Sequence, residues 1–379
     1  MLTIIAVLVV FSVLILIHEM GHLFVAKKAG IKVEAFSLGM GKRLCGIKIG
    51  DTDYRLCLFP FGGYCKMAGE DPSEAKGSQD EFGAKPVGYR FWVVVAGSLT
   101  NYIFAFILFS AIFMMGVPTL TSKVGQVLNG YPAEKAGIKS GDKIVSINGK
   151  PVVYWDDVLA AIKEFSVSGN ELDVKVKRND QDVALKIKPE LSKVTNIFGQ
   201  TITRPMLGVA PQNEFLPVSY DPFTAVKNAW GQLVTITAMT YKMIWLLLTG
   251  GMPLKGTLSG PIGIAYFIKD AAHMGIVPLM LITAHISLAL AIFNLLPFPV
   301  LDGGHVVFLL IEKLRGKPVS VKAQEMVSQV AVILLITFAV FVSWQDVLRF
   351  TPVGKLKMFK QDNSASIQSG TSEKVETKK

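Results

Sequence analysis

An ionisable motif lies inside the first hydrophobic segment of the chain. Residues 1–17 carry no ionisable side chain, and His18-Glu19-Met20-Gly21-His22 follows before the apolar character ends near Ala26. A segment of this length is long enough to cross a bilayer. Polar and ionisable groups within a membrane cost a few kcal/mol each, so three of them close together favour a functional site over two buried histidines that are merely hydrogen-bonded.

The spacing of this motif predicts a metal site. On a helix of about 3.6 residues per turn, His18 and His22 project from the same face, one turn apart, and can share one zinc ion. Glu19 follows the first histidine, where a carboxylate faces a water at the metal and can remove its proton, because zinc lowers the pKa of that water toward about 7. The motif therefore predicts hydrolytic chemistry with Glu19 as the base.

Composition and charge favour a membrane protein. Of 379 residues, 51% are hydrophobic and 18% are charged, and the formal net charge is +10. The basic residues collect beside hydrophobic segments, so we assign them to anionic lipid headgroups of the bilayer and expect no nucleic acid partner. Cys45, Cys57 and Cys65 form no Cys-x-x-Cys pair and predict neither a disulfide framework nor a cysteine zinc site. The first segment lacks the basic start of a signal peptide.

Four segments are predicted to span the membrane. They are residues 1–26, 91–117, 275–301 and 327–344. Residues 223–248 are less apolar, since they contain Lys227, Lys242, aromatic residues and many threonines, and they suit an amphipathic interfacial helix.

The last polar cluster supports this count. Asn294 to His305 contains Pro297, Pro299 and Asp302 at the far end of the third span. If Asp302 is to meet His18 and His22, both segments must run in the same direction across the membrane. Residues 91–117 supply one return crossing, and a second crossing by residues 223–248 would put Asp302 on the wrong side. We therefore expect residues 223–248 to lie along the membrane.

The third metal ligand is chosen by position. His285 would lie about 25 Å along a helix from Asp302, too far in depth, and is expected to be a packed or hydrogen-bonded polar group. His273 lies outside the span, which leaves Asp302 and His305. Pro297 and Pro299 break the helix ahead of them, and irregular backbone is tolerated in a membrane only where it is buried or lines a wet cavity.

Basic residues predict the orientation. The segments between the first two spans and between the last two are rich in Lys and Arg and should face the cytoplasm. Both chain ends and the long middle segment then lie outside the cytoplasm, although the middle segment and the tail also contain lysines.

Residues 34–67 alternate and turn at residues 50–53, which predicts a β-hairpin near the cytoplasmic face. An open edge there could hold an extended substrate by strand pairing, and Phe61, Gly62 and Gly63 would allow a substrate backbone to approach. A plain cytoplasmic cap is the alternative. A helical peptide bond must be extended before it can be hydrolysed, and this favours the substrate-binding role.

The middle segment, residues 119–212, predicts a PDZ-like α+β domain. Strands are expected at 124–127, 143–147 and 173–176, with helices at 133–136 and 156–165. Such a domain either captures peptide at an open edge or only packs on the catalytic core. Residues 354–379 lack a hydrophobic pattern and predict a disordered tail.

The chain resembles the bacterial intramembrane site-2 proteases, and most closely the regulator of sigma-E protease group. The motifs that carry the resemblance are residues 18–22, 61–64, 130–137 with 141–142, 258–263 and 294–304. The resemblance implies that His18, His22 and Asp302 bind zinc, that Glu19 activates water, and that Asn294 lies beside the substrate. One difference is that the nearest group often has two PDZ modules, whereas this chain has length for one. A third role of the PDZ-like domain, the filtering of substrates by their external bulk, is implied only by this family resemblance.

The resemblance also implies a substrate class and a location. The substrate would be a single-span protein of the bacterial inner membrane, such as an anti-sigma factor already cut outside by another protease. Signal-peptide remnants are an alternative substrate. The expected activity is regulated intramembrane proteolysis by a zinc metalloendopeptidase.

The predicted fold is a polytopic α-helical membrane protein with four transmembrane helices, a cytoplasm-facing β-hairpin region and an inserted extracytoplasmic PDZ-like domain. Its parts are residues 1–118, 119–212, 213–353 and 354–379. A transporter or a PDZ scaffold with a structural metal site is the alternative. Polar groups along several spans would favour a transporter, and four protein ligands would favour a structural site.

Overall fold

The structure is a computed structural model that describes residues 2–71, 73–166, 171–195, 201–252 and 259–350. The predicted tail, residues 354–379, and Leu258 of the resemblance motifs lie outside these residues. The chain forms two compact units. The first contains residues 1–109, 232–237 and 254–379, and the second contains residues 110–231 and 238–253.

The described residues contain nine α-helices and a short 3₁₀ turn at Phe82–Ala84. The helices are α1 (Leu2–Lys28), α2 (Val87–Met115), α3 (Pro132–Lys135), α4 (Trp155–Ser166), α5 (Pro222–Leu248), α6 (Pro261–Met274), α7 (Ile276–Asn294), α8 (Asp302–Arg315) and α9 (Val321–Phe350).

Five of these helices, α1, α2, α5, α7 and α9, are long and apolar enough to cross a membrane by length and composition. Their apolar windows have mean hydropathies of 2.5, 1.9, 1.2, 2.3 and 2.4, so α5 is the least apolar of the five. The protein is therefore a multi-pass membrane protein. Asp221 caps α5, since its carboxylate accepts hydrogen bonds from the backbone N–H groups of Phe223 and Thr224.

Several helix boundaries differ from the sequence prediction. The third predicted span, residues 275–301, is helical only in α7, which ends at Asn294, because Pro297 and Pro299 cannot continue a helix. The sequence analysis also missed α6, which precedes α7. Gly275 separates the two helices with a φ of 119°, a conformation that glycine adopts without steric cost. The last helix, α9, is longer than the predicted residues 327–344.

The strands are β1 (Val33–Ile49), β2 (Thr52–Met67), β3 (Val117–Leu120), β4 (Val124–Val127), β5 (Lys143–Ile147), β6 (Lys150–Pro151), β7 (Leu172–Arg178), β8 (Gln181–Ile187), β9 (Glu190–Thr195), β10 (Thr201–Met206), β11 (Val209–Pro211) and β12 (Phe215–Val218).

The hairpin of β1 and β2 folds back on itself. Ser37 pairs with Tyr64 on one side and with Arg55 on the other, and residues 43–49 also pair with residues 52–57. The spatial order is therefore residues 63–67, 33–38, 53–57 and 43–49. The two outer pairs are antiparallel, whereas residues 33–38 and 53–57 run in the same direction. Residues 63–67, called the edge segment below, form one outer edge of this sheet, and residues 43–49 form the other.

The second unit has its own apolar core around a four-stranded sheet in the order β6-β5-β7-β8. Strands β4 and β5 have the predicted bounds, the predicted strand at 173–176 falls within β7, and α3 and α4 lie within one residue of the predicted helices. Ile144, Val158 and Leu172 are fully buried in the core, so both the sheet and α4 contribute to it. β11 pairs with β4, which brings the end of the segment back beside its first strands.

Candidate metal centre and active site

Three ligand atoms converge in the first unit. The Nε2 atoms of His18 and His22 are 3.2 Å apart, and the Oδ2 atom of Asp302 lies 3.4 Å from the first and 3.9 Å from the second. Tetrahedral zinc with bonds of about 2.0–2.1 Å separates its ligand atoms by about 3.4 Å. Within the described residues, these three side chains form the group able to hold a metal ion, and their spacing fits zinc.

Helix α8 brings Asp302 to the histidines of α1. The chain turns between Asn294 and Asp302, and α8 begins at Asp302 itself. A Cβ atom at Gly303 would lie 2.2 Å from the Leu296 carbonyl oxygen, and one at Gly304 would lie 2.3 Å from that of Phe298. The two glycines after the aspartate therefore allow the preceding turn to close against the start of α8.

Helix α2 packs against the two histidines through a glycine. A Cβ atom at Gly97 would lie 2.2 Å from Nε2 of His22 and 2.7 Å from Nε2 of His18. Gly21 of α1 makes the reciprocal approach, since its Cβ would lie 2.4 Å from the Ala96 carbonyl oxygen. The space for a metal between the imidazoles thus depends on the missing side chain at Gly97.

The same helix contacts the side chains of all three candidate ligands. Nδ1 of His22 lies 2.8 Å from the Val93 carbonyl oxygen, and the Ser98 hydroxyl donates to Oδ2 of Asp302 over 3.1 Å. The side-chain amide of Asn101 lies 3.4 Å from Nδ1 of His18. Partners of this kind fix the tautomer and orientation of metal ligands. The sequence analysis missed Gly97, Ser98 and Asn101, although small and polar residues one turn apart inside an apolar span were a usable signal.

Glu19 is held by the β-hairpin. The backbone N–H of Cys65, which lies in the edge segment, is directed to its carboxylate. Gly63 packs here as well, because a Cβ on it would lie 2.8 Å from the Ser37 carbonyl oxygen and 3.4 Å from Cγ of Glu19. The edge segment and the predicted catalytic base are therefore in direct contact.

A cavity of about 890 Å³ opens beside these groups. Its walls come from α1, the edge segment, the loop that follows it, α2 and α8. Both polar and charged side chains line it, among them Glu19, Glu70, Arg90, Asp302, His305 and Glu312. Arg90 and Glu312 form a bidentate ion pair, with Nη1 to Oε2 at 3.0 Å, that joins α2 to α8. A cavity with both apolar and charged walls at this point can admit water and an extended peptide.

The other predicted residues lie at or near the cavity to different degrees. His305 lines the cavity but is not one of the three grouped ligands, so the choice left open by position falls on Asp302. Gly63 also lines it. Gly62 adopts a φ of 91°, and the side chain of Phe61 lies outside the part that the structure describes. Asn294 is the half-buried last residue of α7 and is not among the lining residues.

His285 behaves as the sequence predicts. Its Nδ1 lies 2.7 Å from the Leu281 carbonyl oxygen one turn earlier, and its ring packs edge-on against Phe109 with centroids 5.3 Å apart. It is a hydrogen-bonded polar group within the helix packing and not a metal ligand.

Comparison with known proteins gives matches along nearly the whole chain. Residues 6–338 match the model of Peptidase family M50. The chain is 30% identical to the regulator of sigma-W protease RasP of Bacillus subtilis (strain 168), over 92% of this chain and 98% of that protein. It is 32% identical to CPE1693 of Clostridium perfringens (strain 13 / Type A), which its name describes as a zinc metalloprotease, over 91% and 98%. A solved HtrA3 PDZ domain matches 20% of this chain and 82% of its own, with 26% identity and a TM-score of 0.17.

Proposed function

The chain belongs to peptidase family M50 and is a zinc metalloprotease of the membrane, and from this premise we propose that it hydrolyses a peptide bond within or beside a transmembrane helix of its substrate. In this proposal His18, His22 and Asp302 hold the zinc ion and Glu19 is the catalytic base. The convergence of these three ligand atoms beside Glu19 is the observation that carries the proposal.

The donor set supports zinc at this site. Two imidazole nitrogens and one carboxylate oxygen are typical of catalytic zinc sites, which keep a fourth position open for water or substrate. When bound, zinc supplies Lewis acidity to the scissile carbonyl and to the attacking water. Structural zinc sites usually have four protein ligands, so a group of three within the described residues favours catalysis over a scaffold role.

Glu19 performs the proton transfers. It takes a proton from water at its carboxylate and returns that proton to the leaving amine when the peptide bond breaks. The Cys65 N–H keeps the carboxylate in place between the edge segment and the metal ligands. Positioned general acid-base catalysis of this kind contributes about 10²- to 10⁴-fold in rate.

The edge segment provides a binding mode for the substrate. It has one outer side in the hairpin sheet and lines the cavity next to Glu19. An extended peptide that adds as a strand here has its hydrogen bonds satisfied by the protein and presents its carbonyl near the metal ligands. Gly62 and Gly63 contribute no side chains where the substrate backbone would approach, whereas the proposed contact of Asn294 with the substrate rests on the family resemblance.

The proposed substrates are single-span membrane proteins that another protease has first shortened outside. One relative is named a regulator of sigma-W protease, and this favours an anti-sigma factor as the substrate class, with signal-peptide remnants as a second class. The enzyme would act in the bacterial inner membrane. The PDZ-like segment, residues 119–212, would capture the substrate or filter it by its external bulk.

The proposed topology has four spans, with both termini and the PDZ-like segment outside the cytoplasm. Helix α5 lies along the membrane in this arrangement, which its low mean hydropathy of 1.2 supports. Cysteines introduced at Asp221 and Gly251 flank α5 and would be labelled from the same side. Labelling from opposite sides would contradict the four-span proposal.

The decisive experiment compares the parent with Glu19→Gln on a model single-span substrate in detergent micelles or liposomes. We expect cleavage to fall by at least 10²-fold while one zinc per chain is retained. His22→Ala should lose both zinc and cleavage. Cleavage that persists in Glu19→Gln, or that is insensitive to zinc removal, would refute the proposed mechanism.

A further inference from the structure

Asn101 is a buried polar residue beside the metal ligands that the proposed chemistry does not use. It lies in α2, one helical turn beyond Gly97, and is 0% exposed. Its Nδ2 faces Nδ1 of His18 at 3.4 Å, and its Oδ1 is buried without a hydrogen-bond partner among the described residues. A buried amide in an apolar helix packing is costly unless it makes hydrogen bonds.

The tautomer of His18 decides which amide atom must face it. Nε2 of His18 is the nitrogen that points to His22 and Asp302, so a metal bound there leaves the proton on Nδ1. The Nδ1–H group is a donor and needs an acceptor. The oxygen and nitrogen of an amide exchange places when the side chain rotates by about 180°, and they are assigned from the hydrogen-bond network.

We propose that Asn101 is a positioning residue, whose side-chain carbonyl accepts a hydrogen bond from Nδ1–H of His18 and so fixes Nε2 toward the metal. The inference rests on the proposed zinc site. It makes His18 the counterpart of His22, whose Nδ1 faces the Val93 carbonyl of the same helix. One histidine thus uses a backbone acceptor of α2 and the other uses a side chain of α2.

Asn101 is well placed for this role because its backbone is held from a second helix. The hydroxyl of Ser287 in α7 donates to the Asn101 carbonyl oxygen over 2.8 Å, and both residues are fully buried. The side chain therefore projects toward His18 from a fixed point. Outer-shell partners of metal ligands typically account for about 10- to 100-fold in metal affinity.

One other acceptor competes for the His18 ring. The Gly97 carbonyl also accepts a hydrogen bond from it, and the same carbonyl accepts from the Thr100 hydroxyl at 2.9 Å. If that carbonyl alone orients the ring, the amide of Asn101 is dispensable for metal binding. The experiment must therefore distinguish the effect of a hydrogen-bond acceptor at position 101 from the effect of side-chain volume at that position.

Two substitutions of nearly equal size make this separation. Asn101→Asp keeps an acceptor oxygen toward Nδ1–H and removes the amide donor, whereas Asn101→Leu removes both. Zinc affinity of the purified full chain is measured by competition with a chelator, and the absorption spectrum of the cobalt-loaded protein reports ligand geometry. His18→Ala reports loss of the site itself.

We expect Asn101→Leu to weaken zinc binding by about 10- to 100-fold and to alter the cobalt spectrum. Asn101→Asp should stay within about threefold of the parent, a factor worth less than 1 kcal/mol. If Asn101→Leu aggregates, Asn101→Asp alone decides the question. If the parent amide instead donates to an unprotonated Nδ1 of His18, Asn101→Asp removes that donor and should lose zinc.

Parental affinity in a folded Asn101→Leu protein would overturn the inference, and so would equal losses in the leucine and aspartate variants. If either of these results is obtained and His18→Ala still loses zinc, the inference about Asn101 is wrong but the proposed function is not. Zinc binding that survives His18→Ala would instead refute the proposed metal site.

Discussion

The proposed metal centre of the first unit and the Asp142–Arg178 pair of the second unit bury a carboxylate in two different ways. Asp142 is 1% exposed, and the Arg178 guanidinium binds both of its oxygens at 2.7 Å. The backbone N–H of Lys139 donates to it as well, at 2.8 Å. Asp302 faces two imidazole nitrogens and the Ser98 hydroxyl. The first carboxylate has its cation within the protein, whereas the second is arranged around a position that suits an added cation.

This comparison predicts that the two sites respond to different perturbations. The ion pair should depend on pH and on its own two side chains, and its loss should destabilise the fold of the second unit. Zinc binding at the proposed metal centre should depend on the free volume between the ligands and on their orientation. Substitutions there should lower zinc affinity before they unfold the protein. The predictions below test these two statements, beginning with the largest expected effect.

Filling the space at Gly97 should disrupt the metal centre most strongly. In Gly97→Ala the new methyl group would lie 2.2 Å from Nε2 of His22, well inside contact distance, so α2 or the imidazole must move. We expect zinc affinity and cleavage to fall by more than about 100-fold, as for the loss of an oriented ligand. Zinc content and peptide cleavage are measured on the purified full chain.

The matched control for this prediction is Gly88→Ala, on the same helix, where an added Cβ meets nothing within 4 Å. That variant should retain zinc and activity. Parental zinc affinity in Gly97→Ala would show that the helix packing yields easily, and the metal centre would then not depend on the space that the structure indicates.

Removing the charge of Asp142 should destabilise the second unit. Asp142→Asn leaves Arg178 partly buried without its anion, and hydrogen bonds to charged groups contribute about 1.5–3 kcal/mol. We expect hydrogen exchange of the β5 and β7 amides in the full chain to accelerate by about 10- to 150-fold, with zinc affinity unchanged. Asp182→Asn, on the exposed part of β8, should have little effect on exchange. Equal exchange in both variants would contradict the assignment.

The same pair predicts a pH dependence. Burial raises the pKa of Asp142, but the hydrogen bonds from Arg178 and from the Lys139 N–H lower it more, so the pKa lies below its ordinary value. The stabilisation is therefore complete above the unfolded pKa of about 3.9 and is lost as the pH falls toward the folded pKa. Protection of β5 and β7 should decrease over that acidic range in the parent and should be nearly flat in Asp142→Asn.

The contrast also explains what the sequence could and could not predict. Polar residues are rare within apolar spans, so His18, Glu19 and His22 stood out without a structure. By position the third ligand remained open between Asp302 and His305, and the family resemblance implied Asp302. Residues 141–142 were recognised as part of a motif, but only the fold shows that Arg178 meets Asp142. The strands β4 and β5 were predictable from their turn signals, since local pattern and local structure agree there.

Residues that act through distant contacts were missed for the same reason. Three such residues of α2, Gly97, Ser98 and Asn101, are far from α1 and α8 in sequence. Their roles depend on the packing of α2 against the side chains of His18, His22 and Asp302. Helix α6 was not predicted, because its 14 residues are too few to span a membrane and a single glycine, Gly275, separates it from α7. Residues 33–38 of the hairpin pair with two different segments of β2, and this depends on the strand register, which residue types alone do not reveal.

A fourth prediction concerns the edge segment. Gly63→Val would press a side chain against the Ser37 carbonyl and Ile15 and crowd Glu19, and it would also block strand addition at this edge. We expect cleavage to slow by about tenfold or more while zinc content stays unchanged. Cys45→Val, on the exposed opposite edge of the sheet, is the control and should cleave normally. Loss of zinc in Gly63→Val would point to misfolding and not to impaired substrate binding.

The smallest expected effect is at Ser98. Ser98→Ala removes one hydrogen bond to Asp302 and leaves the three proposed ligands in place, so zinc affinity should fall by about five- to tenfold, or about 1–1.4 kcal/mol. Ser12→Ala, which removes a hydroxyl of α1 directed to the Pro60 carbonyl, is the control. A loss as large as that in Gly97→Ala would mean that the hydroxyl, and not the cation, satisfies most of the Asp302 carboxylate. The metal centre would then resemble the ion pair of the second unit, because both carboxylates would be held mainly by partners from the protein.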